Sequence, residues 1–405
     1  MKSLILPLLL ICLLPLSIFS LTAQTSPLSS RYRSEVVAQV AQLLTDYYVF
    51  PDLAEQVAEH ILKQDQAGHF EAYNDLASFS TQLTASIYEI TRDKHLVVSQ
   101  IPTRYHAESE PQEFEARLGE RAYYRNTNAG FKSVEKLPNN IGYLNLRGFY
   151  GLDLGKPYAD RAMAMLATSD AIIIDLRENR GGRGDMVEYL LGHFFESSII
   201  ASKTTKRVGD EFIEQVNWTP EQPKDKLMVD VPLFVLLASE TISAAEGFSF
   251  ALQIHERATF IGETTAGAAN PGDLISLNQE LQLFVSDVSV THPENQTSWE
   301  GIGIIPDLGV DQEQALEVAI EEATRAALQH QEATETAAKN SLIQLQTAIQ
   351  DFGPTSSPQK IIRAYLACQA QDIFYPEWEL NNLGYQYLAD SNHTHLGEAI
   401  LAANV

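Results

Sequence analysis

Residues 235–268, VLLASETISAAEGFSFALQIHERATFIGETTAGA, leave this chain few choices of local structure. Val235 to Ala238 is an apolar run of strand character. It breaks at Thr241-Ile242-Ser243, after which Ala244, Ala245, Phe248 and Leu252 recur on one helical face. A serine at such a junction holds its hydroxyl beside the unpaired N–H groups of the first helical turn, and those donors favour negative charge. Attack of a hydroxyl on a carbonyl places an anion there. Ser243 is therefore the candidate nucleophile. The same letters also fit a helix cap with no catalytic duty, because Ser243-Ala244-Ala245-Glu246 has the S-x-x-E spacing of a capping box.

The flanking sequence predicts an α/β core. Strands are expected at Ile141 to Leu146, Ala171 to Leu176, Leu233 to Ala238 and Ala258 to Gly262. Helices are expected at Tyr158 to Ala167 and Met186 to Phe195, and again after Ser243. Continuous Val/Ile/Leu runs alternating with helices describe a sheet covered on both faces. Residues 281–291 alternate as one more strand, and Ala315 to Leu328 reads as a helix. Ahead of the core, Val36, Val40, Leu43 and Tyr47 form one helical stripe, and Leu76, Phe79, Leu83 and Ile87 another. The charged segment 106–136 reads as a loop or short hairpin. The expected divisions are an export signal at 1–23, a helical bundle at 24–98, a core at 99–332 and a helical tail at 333–405. In the tail, Leu380 to Tyr385 resembles one arm of a tetratricopeptide-type hairpin.

Met-Lys-Ser, the apolar run Leu4 to Leu21 and the exit Thr22-Ala23 have the layout of a cleaved export signal, which places the chain in a periplasm or outside the cell. With the signal removed, Cys368 is the sole cysteine, so no intramolecular disulfide can support the fold. The formal charge of −25, with no basic cluster, argues against nucleic acid as a partner. No second apolar stretch could span a bilayer. The His393-Thr394-His395 pair lacks further ligands, so no metal or other cofactor is expected.

Three other places could serve a nucleophile. Asp175-Leu176-Arg177-Glu178-Asn179-Arg180-Gly181-Gly182 ends an apolar strand, where open α/β sheets bind ligands and paired glycines let backbone N–H groups come close. On its own it is also an ordinary glycine turn. Asp93-Lys94-His95-Leu96 offers His95 as a general base, although most of the ten histidines must have ordinary roles. Glu300, in Trp299-Glu300-Gly301-Ile302-Gly303-Ile304-Ile305-Pro306-Asp307, could orient a histidine or simply sit in a solvated turn.

Taken together, YVFP (48–51), DKHL (93–96), IGYL (141–144), DLRENRGG (175–182), TISAAE (241–246), GETTAGA (262–268) and WEGIGIIPD (299–307) resemble the tail-specific, or C-terminal-processing, serine peptidases. They are most like the branch holding the tricorn core and the repeats of interphotoreceptor retinoid-binding protein. The resemblance covers about residues 30–325. It implies a crotonase-like (ClpP-like) β/α superhelix after a helical bundle and a peptide or protein substrate. It further implies Ser243 as nucleophile, His95 as base, Glu300 as orienting acid, and an oxyanion hole from Gly181 or Gly182 with Ala244. Tricorn-like members place a serine relay before the histidine, where this chain has Lys94. Members that use a Ser-Lys dyad carry their lysine where this chain has Ala268, and no lysine occurs between Lys226 and Lys339. The PDZ module usual in those enzymes also has no room here. The retinoid-binding relatives imply an alternative, a non-catalytic carrier of apolar ligands on the same fold. A third reading is a scaffold whose helical tail recruits a partner.

Overall fold

The computed structural model describes residues 27–101, 112–353, 355–371, 378–390 and 393–402. The expected export signal lies outside them. Helices α1 (Ser30–Tyr47), α2 (Pro51–Gln66) and α3 (Leu76–Thr91) form the expected N-terminal bundle. Pro51 opens α2, the one place in a helix where a missing N–H costs nothing. The bundle buries Val40, Leu44, Ile61, Phe79 and Ile87 against a small antiparallel sheet of β1 (Val97–Gln100), β9 (Asp273–Ser276) and β10 (Leu281–Val285).

The core is a six-stranded sheet. It comprises β2 (Phe131–Leu137), β3 (Ile141–Leu146), β4 (Ala171–Asp175), β7 (Leu233–Leu237), β8 (Thr259–Gly262) and β12 (Leu308–Gly309), in the order β12-β8-β7-β4-β3-β2. All neighbours are parallel except β2 and β3. Side chains divide between the faces with period two. Leu144, Ile172, Ile174, Val235 and Leu237 pack beneath α5 (Leu152–Leu166), α6 (Gly184–Leu191) and α7 (Ala244–Ile254). Tyr143, Ile173, Phe234, Leu236 and Ile261 face α8 (Gln312–Gln350). Ala315, Ala319, Ala323 and Ala327, spaced by four, give α8 a smooth stripe that lies close on the sheet. A second antiparallel sheet, β11-β5-β6, joins β5 (Ile200–Val208), β6 (Glu211–Trp218) and β11 (Val288–Thr291).

Three expectations are corrected. Residues 112–127 form helix α4 (Gln112–Thr127) and 131–137 form β2, where the charge density of 106–136 suggested a loop. Tyr124 anchors this region in the main core. The single strand expected at 281–291 is two, β10 and β11, in different sheets. Between them Ser286 is fully buried, and its carbonyl accepts the N–H of Val49. The helix read at 315–328 does not stop there but runs on into the expected tail as one continuous helix to Gln350, because nothing along the way breaks the backbone ladder. Beyond it, α9 (Gln359–Gln369), α10 (Trp378–Ala389) and α11 (Thr394–Ala402) follow. Leu345 near the end of α8 joins Ile361, Tyr365, Cys368, Leu396 and Ile400 in a separate tail core. Gly384 and Gly397 let α10 and α11 cross closely. A Cβ on Gly384 would stand 2.7 Å from Leu401, and one on Gly397 would stand 2.6 Å from the Leu388 nitrogen.

Candidate active site

The carboxyl ends of β4, β7 and β8 lie side by side, and they lead into the DLRENRGG (175–182), TISAAE (241–246) and GETTAGA (262–268) motifs respectively. Such a strand edge is where open α/β sheets place their ligands. Thr241, fully buried, closes the junction. Its hydroxyl donates to the Leu176 carbonyl at 2.9 Å and accepts the Ala238 N–H at 3.0 Å. The chain then turns sharply. Ser243 has φ 61° and ψ −123°, a conformation that a non-glycine residue adopts only when its surroundings impose it.

Those surroundings are Glu246 and Gly181. The fully buried Glu246 carboxylate accepts the Ser243 N–H at 2.9 Å, the Ala268 N–H at 2.9 Å, the Gly267 N–H at 2.6 Å and the Thr265 hydroxyl at 2.5 Å. Burial raises its pKa, and these four donors oppose the rise. Gly181 (φ +88°) passes so near that an added Cβ would lie 2.7 Å from the Ser243 Cβ. Its N–H is already engaged by the Asn179 side chain at 2.8 Å, and Asn179 is held in turn by the Leu146 carbonyl. Among the described residues, the N–H groups of Gly182 and Ala244 have no acceptor. Both residues line the same cavity as Ser243. Gly182 (φ +138°) has no room for a side chain, because a Cβ would lie 2.0 Å from the Phe149 carbonyl oxygen.

The segment 264–270 connects this corner to the helical bundle. Its core-facing side is held by Glu246. On its other side, Asn270 donates to Asp93 at 3.3 Å, Lys94 Nζ donates to the Ala266 carbonyl at 2.5 Å, and the Ala269 N–H donates to Glu300 at 2.5 Å. Trp299 pins the segment by donating its indole N–H to the Ala268 carbonyl at 3.3 Å. Ala268, at the position where dyad peptidases carry lysine, is wholly buried here.

His95 sits on the bundle side, its ring stacked on Phe284 at 5.8 Å. Asp93, only 1% exposed, accepts the His95 backbone N–H at 2.8 Å, and the same oxygen lies 3.8 Å from the ring Nδ1. Both ring nitrogens and the Glu300 Oε1 are buried with no hydrogen-bond partner among the described residues. The Ser243 hydroxyl therefore makes no hydrogen bond to His95 in this state. Burial lowers the His95 pKa against the opposing pull of Asp93, which favours neutral imidazole. Burial also raises Glu300, helped by the negative charges of Asp93 and Glu246, to about 7. Tyr48, from the YVFP segment, lies against Asp93 and Glu300. Burial first, and then those two carboxylates, push its phenol up.

Ser243 opens into a cavity of about 160 Å³ walled by Val187, Ala201, Ala244, Pro271, Val290 and Trp299, among others. Among the described residues no group of three or more His, Cys, Asp or Glu is disposed to hold a metal ion. No helix there is long and apolar enough to cross a membrane.

Residues 140–310 match the family described as Peptidase family S41, and residues 27–128 match the N-terminal domain of that family in eukaryotic IRBP. The chain belongs to peptidase family S41. Among relatives of this S41 chain, a carboxy-terminal-processing protease of Bartonella bacilliformis is 28% identical over 185 residues, 44% of this chain and 40% of the relative. A carboxyl-terminal-processing protease of Synechocystis is 29% identical over 178 residues, 43% of this chain and 38% of its own. The match thus spans well under half the length of either curated relative. A Parabacteroides merdae structure described as a candidate peptidase aligns with a TM-score of 0.51 at 18% identity, over 74% of this chain and 97% of its own. That likeness supports a shared mixed α/β fold.

His95, Glu300, Ser243 and the two glycines were candidates from the sequence alone. Asp93 and Tyr48 were not, as members of one buried acidic cluster. Asp93 stood two residues from His95 in the DKHL segment and Tyr48 in YVFP, so both were visible as letters. Their meeting with Glu300 depends on segment 264–270 and on the packing of α1, which no local pattern encodes.

Proposed function

We propose that this chain is an exported serine-type peptidase whose nucleophile is Ser243. His95 takes the hydroxyl proton as the Ser243 oxygen bonds to the substrate carbonyl carbon. The resulting imidazolium returns that proton to the departing amine, and water then splits the acyl-enzyme to a carboxylic acid and free Ser243. The N–H groups of Gly182 and Ala244 receive the oxyanion. Gly181 has the supporting part of shaping the turn, because its own N–H is engaged by Asn179. Glu300, with Asp93, steadies the imidazolium. Lys94 positions segment 264–270 through Ala266 and leaves the proton path to the carboxylates. Closure of the gap between hydroxyl and ring belongs to substrate binding, as catalytic hydrogen bonds commonly tighten only in the complex.

The observation that carries this reading is the enforced left-handed backbone of Ser243 at a helix N-terminus, with two unpaired N–H groups lining the same cavity. A plain helix cap needs neither feature. The carrier alternative fits less well, since about 160 Å³ falls below the roughly 300–1,000 Å³ of pockets for drug-sized ligands. The crotonase-like superhelix, the division at residues 24–98, 99–332 and 333–405, and periplasmic or extracellular residence belong to the same proposal. Its test is peptide hydrolysis by Ser243→Ala, for which kcat should fall by a factor on the order of 10⁶ if serine and histidine act as a unit. Undiminished cleavage by clean Ser243→Ala protein defeats the assignment.

A further inference from the structure

The cavity beside Ser243 contains a charge that the reaction does not use. Its walls are mostly apolar, and Glu188 on α6 is the sole acidic or basic side chain among the described residues that line it. No hydrogen bond or ion pair engages the Glu188 carboxylate among the described residues. The cations that adjoin lining residues along the chain have other partners: Arg183, after Gly182, faces Asp185 at 3.9 Å, and Lys203, between Ser202 and Thr204, pairs with Glu214 at 2.8 Å. The polar residues on the β5–β6 side satisfy one another, with the Asn217 amide donating to the Ser202 and Thr204 hydroxyls. Glu188 is also only partly accessible to water, and burial together with Asp185 raises its pKa. A half-buried, unpaired carboxylate is costly when the pocket is empty, and a cation brought by the ligand relieves that cost.

We infer that this cavity is the specificity pocket for the substrate residue whose carbonyl Ser243 attacks, and that Glu188 makes it select a long cationic side chain, lysine or arginine. This rests on the peptidase reading above. The alkyl stem of such a side chain packs on Val187, Val290 and Trp299 while its charged head meets Glu188, the division of labour that long basic side chains adopt elsewhere. The volume suits one side chain, being close to the ~150 Å³ of a cavity that takes a benzene ring. The overall charge of −25 draws cationic peptides toward the molecule and disfavours acidic ones.

The test compares internally quenched peptides that differ only at the residue before the scissile bond: lysine, leucine or glutamate. The full-length protein should cleave the lysine peptide with at least tenfold higher kcat/KM than the leucine peptide. Glu188→Gln should bring that ratio near one, Glu188→Asp should keep part of it, and Glu188→Lys should favour glutamate. A parallel titration of product peptides ending in lysine or leucine onto Ser243→Ala, with and without Glu188→Gln, reads the pocket without any chemistry. Lysine preference in that titration, with no hydrolysis by the wild type, would keep the pocket and remove the peptidase reading. Cleavage that favours leucine, or a lysine preference unchanged by Glu188→Gln, would overturn the inference about Glu188 and leave the peptidase reading standing. Absence of both cleavage and Glu188-dependent binding would overturn it as well.

Discussion

The Ser243 backbone N–H donates to the Glu246 carboxylate at 2.9 Å, and Ala268 donates to the same carboxylate oxygen. One buried side chain therefore fixes both the strained turn and the segment that leads to His95. Glu246→Gln puts an amide NH₂ against backbone N–H groups that need an acceptor. Leaving buried donors unpaired costs about 1–3 kcal/mol each. Calorimetry or denaturant unfolding should show Glu246→Gln destabilised by about 2–5 kcal/mol, with activity lost even where the protein stays folded. A fully active, fully stable Glu246→Gln protein would show that the carboxylate does not hold the turn.

The glycine pair separates in the same manner. Gly181→Ala thrusts a methyl into Ser243, and Gly182→Ala drives one into the Phe149 carbonyl, both at positive φ. Backbone strain alone is worth about 1–3 kcal/mol at each site. Both variants should melt lower than wild type. In whatever Gly182→Ala protein folds, kcat should fall by about 10²–10³, the usual loss when one oxyanion donor is displaced.

The acid limb of kcat/KM reports His95. Burial lowers its pKa, so the limb should fall below the ordinary 6.5. Asp93 opposes that lowering, and Asp93→Asn should therefore move the limb to still lower pH while reducing kcat. A limb that stays in place in Asp93→Asn would detach Asp93 from the imidazole.

Glu300 adds a stability signature. Its folded-state pKa of about 7 lies above the ordinary 4.5, so the protonated form is favoured by folding. The stability tied to that proton is full below about 4.5 and is lost as pH rises through about 7. Glu300→Gln mimics the neutral form. Its melting temperature should gain on wild type between pH 4 and pH 8, though its catalysis should weaken because the imidazolium loses a supporting charge. Parallel melting curves for the two proteins across that range would contradict the raised pKa.

The α/β layering was legible because AIIID and LFVLL are buried on both faces and admit little else. The junction at Ser243 was legible for the same local reason, with a strand, a break and an amphipathic helix in succession. The helix at 112–127 was hidden by its charge, since Tyr124 anchors it through a contact the local sequence does not announce. The Asp93–Tyr48–Glu300 cluster was hidden for another reason. Each member comes from a different element, and the segment 264–270 that gathers them is held by backbone N–H groups, which carry no letter of their own.

The most direct measurement is labelling of the wild-type protein with a fluorophosphonate probe, followed by mass mapping of the adduct. One adduct is expected, on Ser243, slowed strongly by His95→Ala and by Gly182→Ala. Peptide hydrolysis that proceeds while Ser243 stays unmodified, or an adduct confined to another serine, would contradict it.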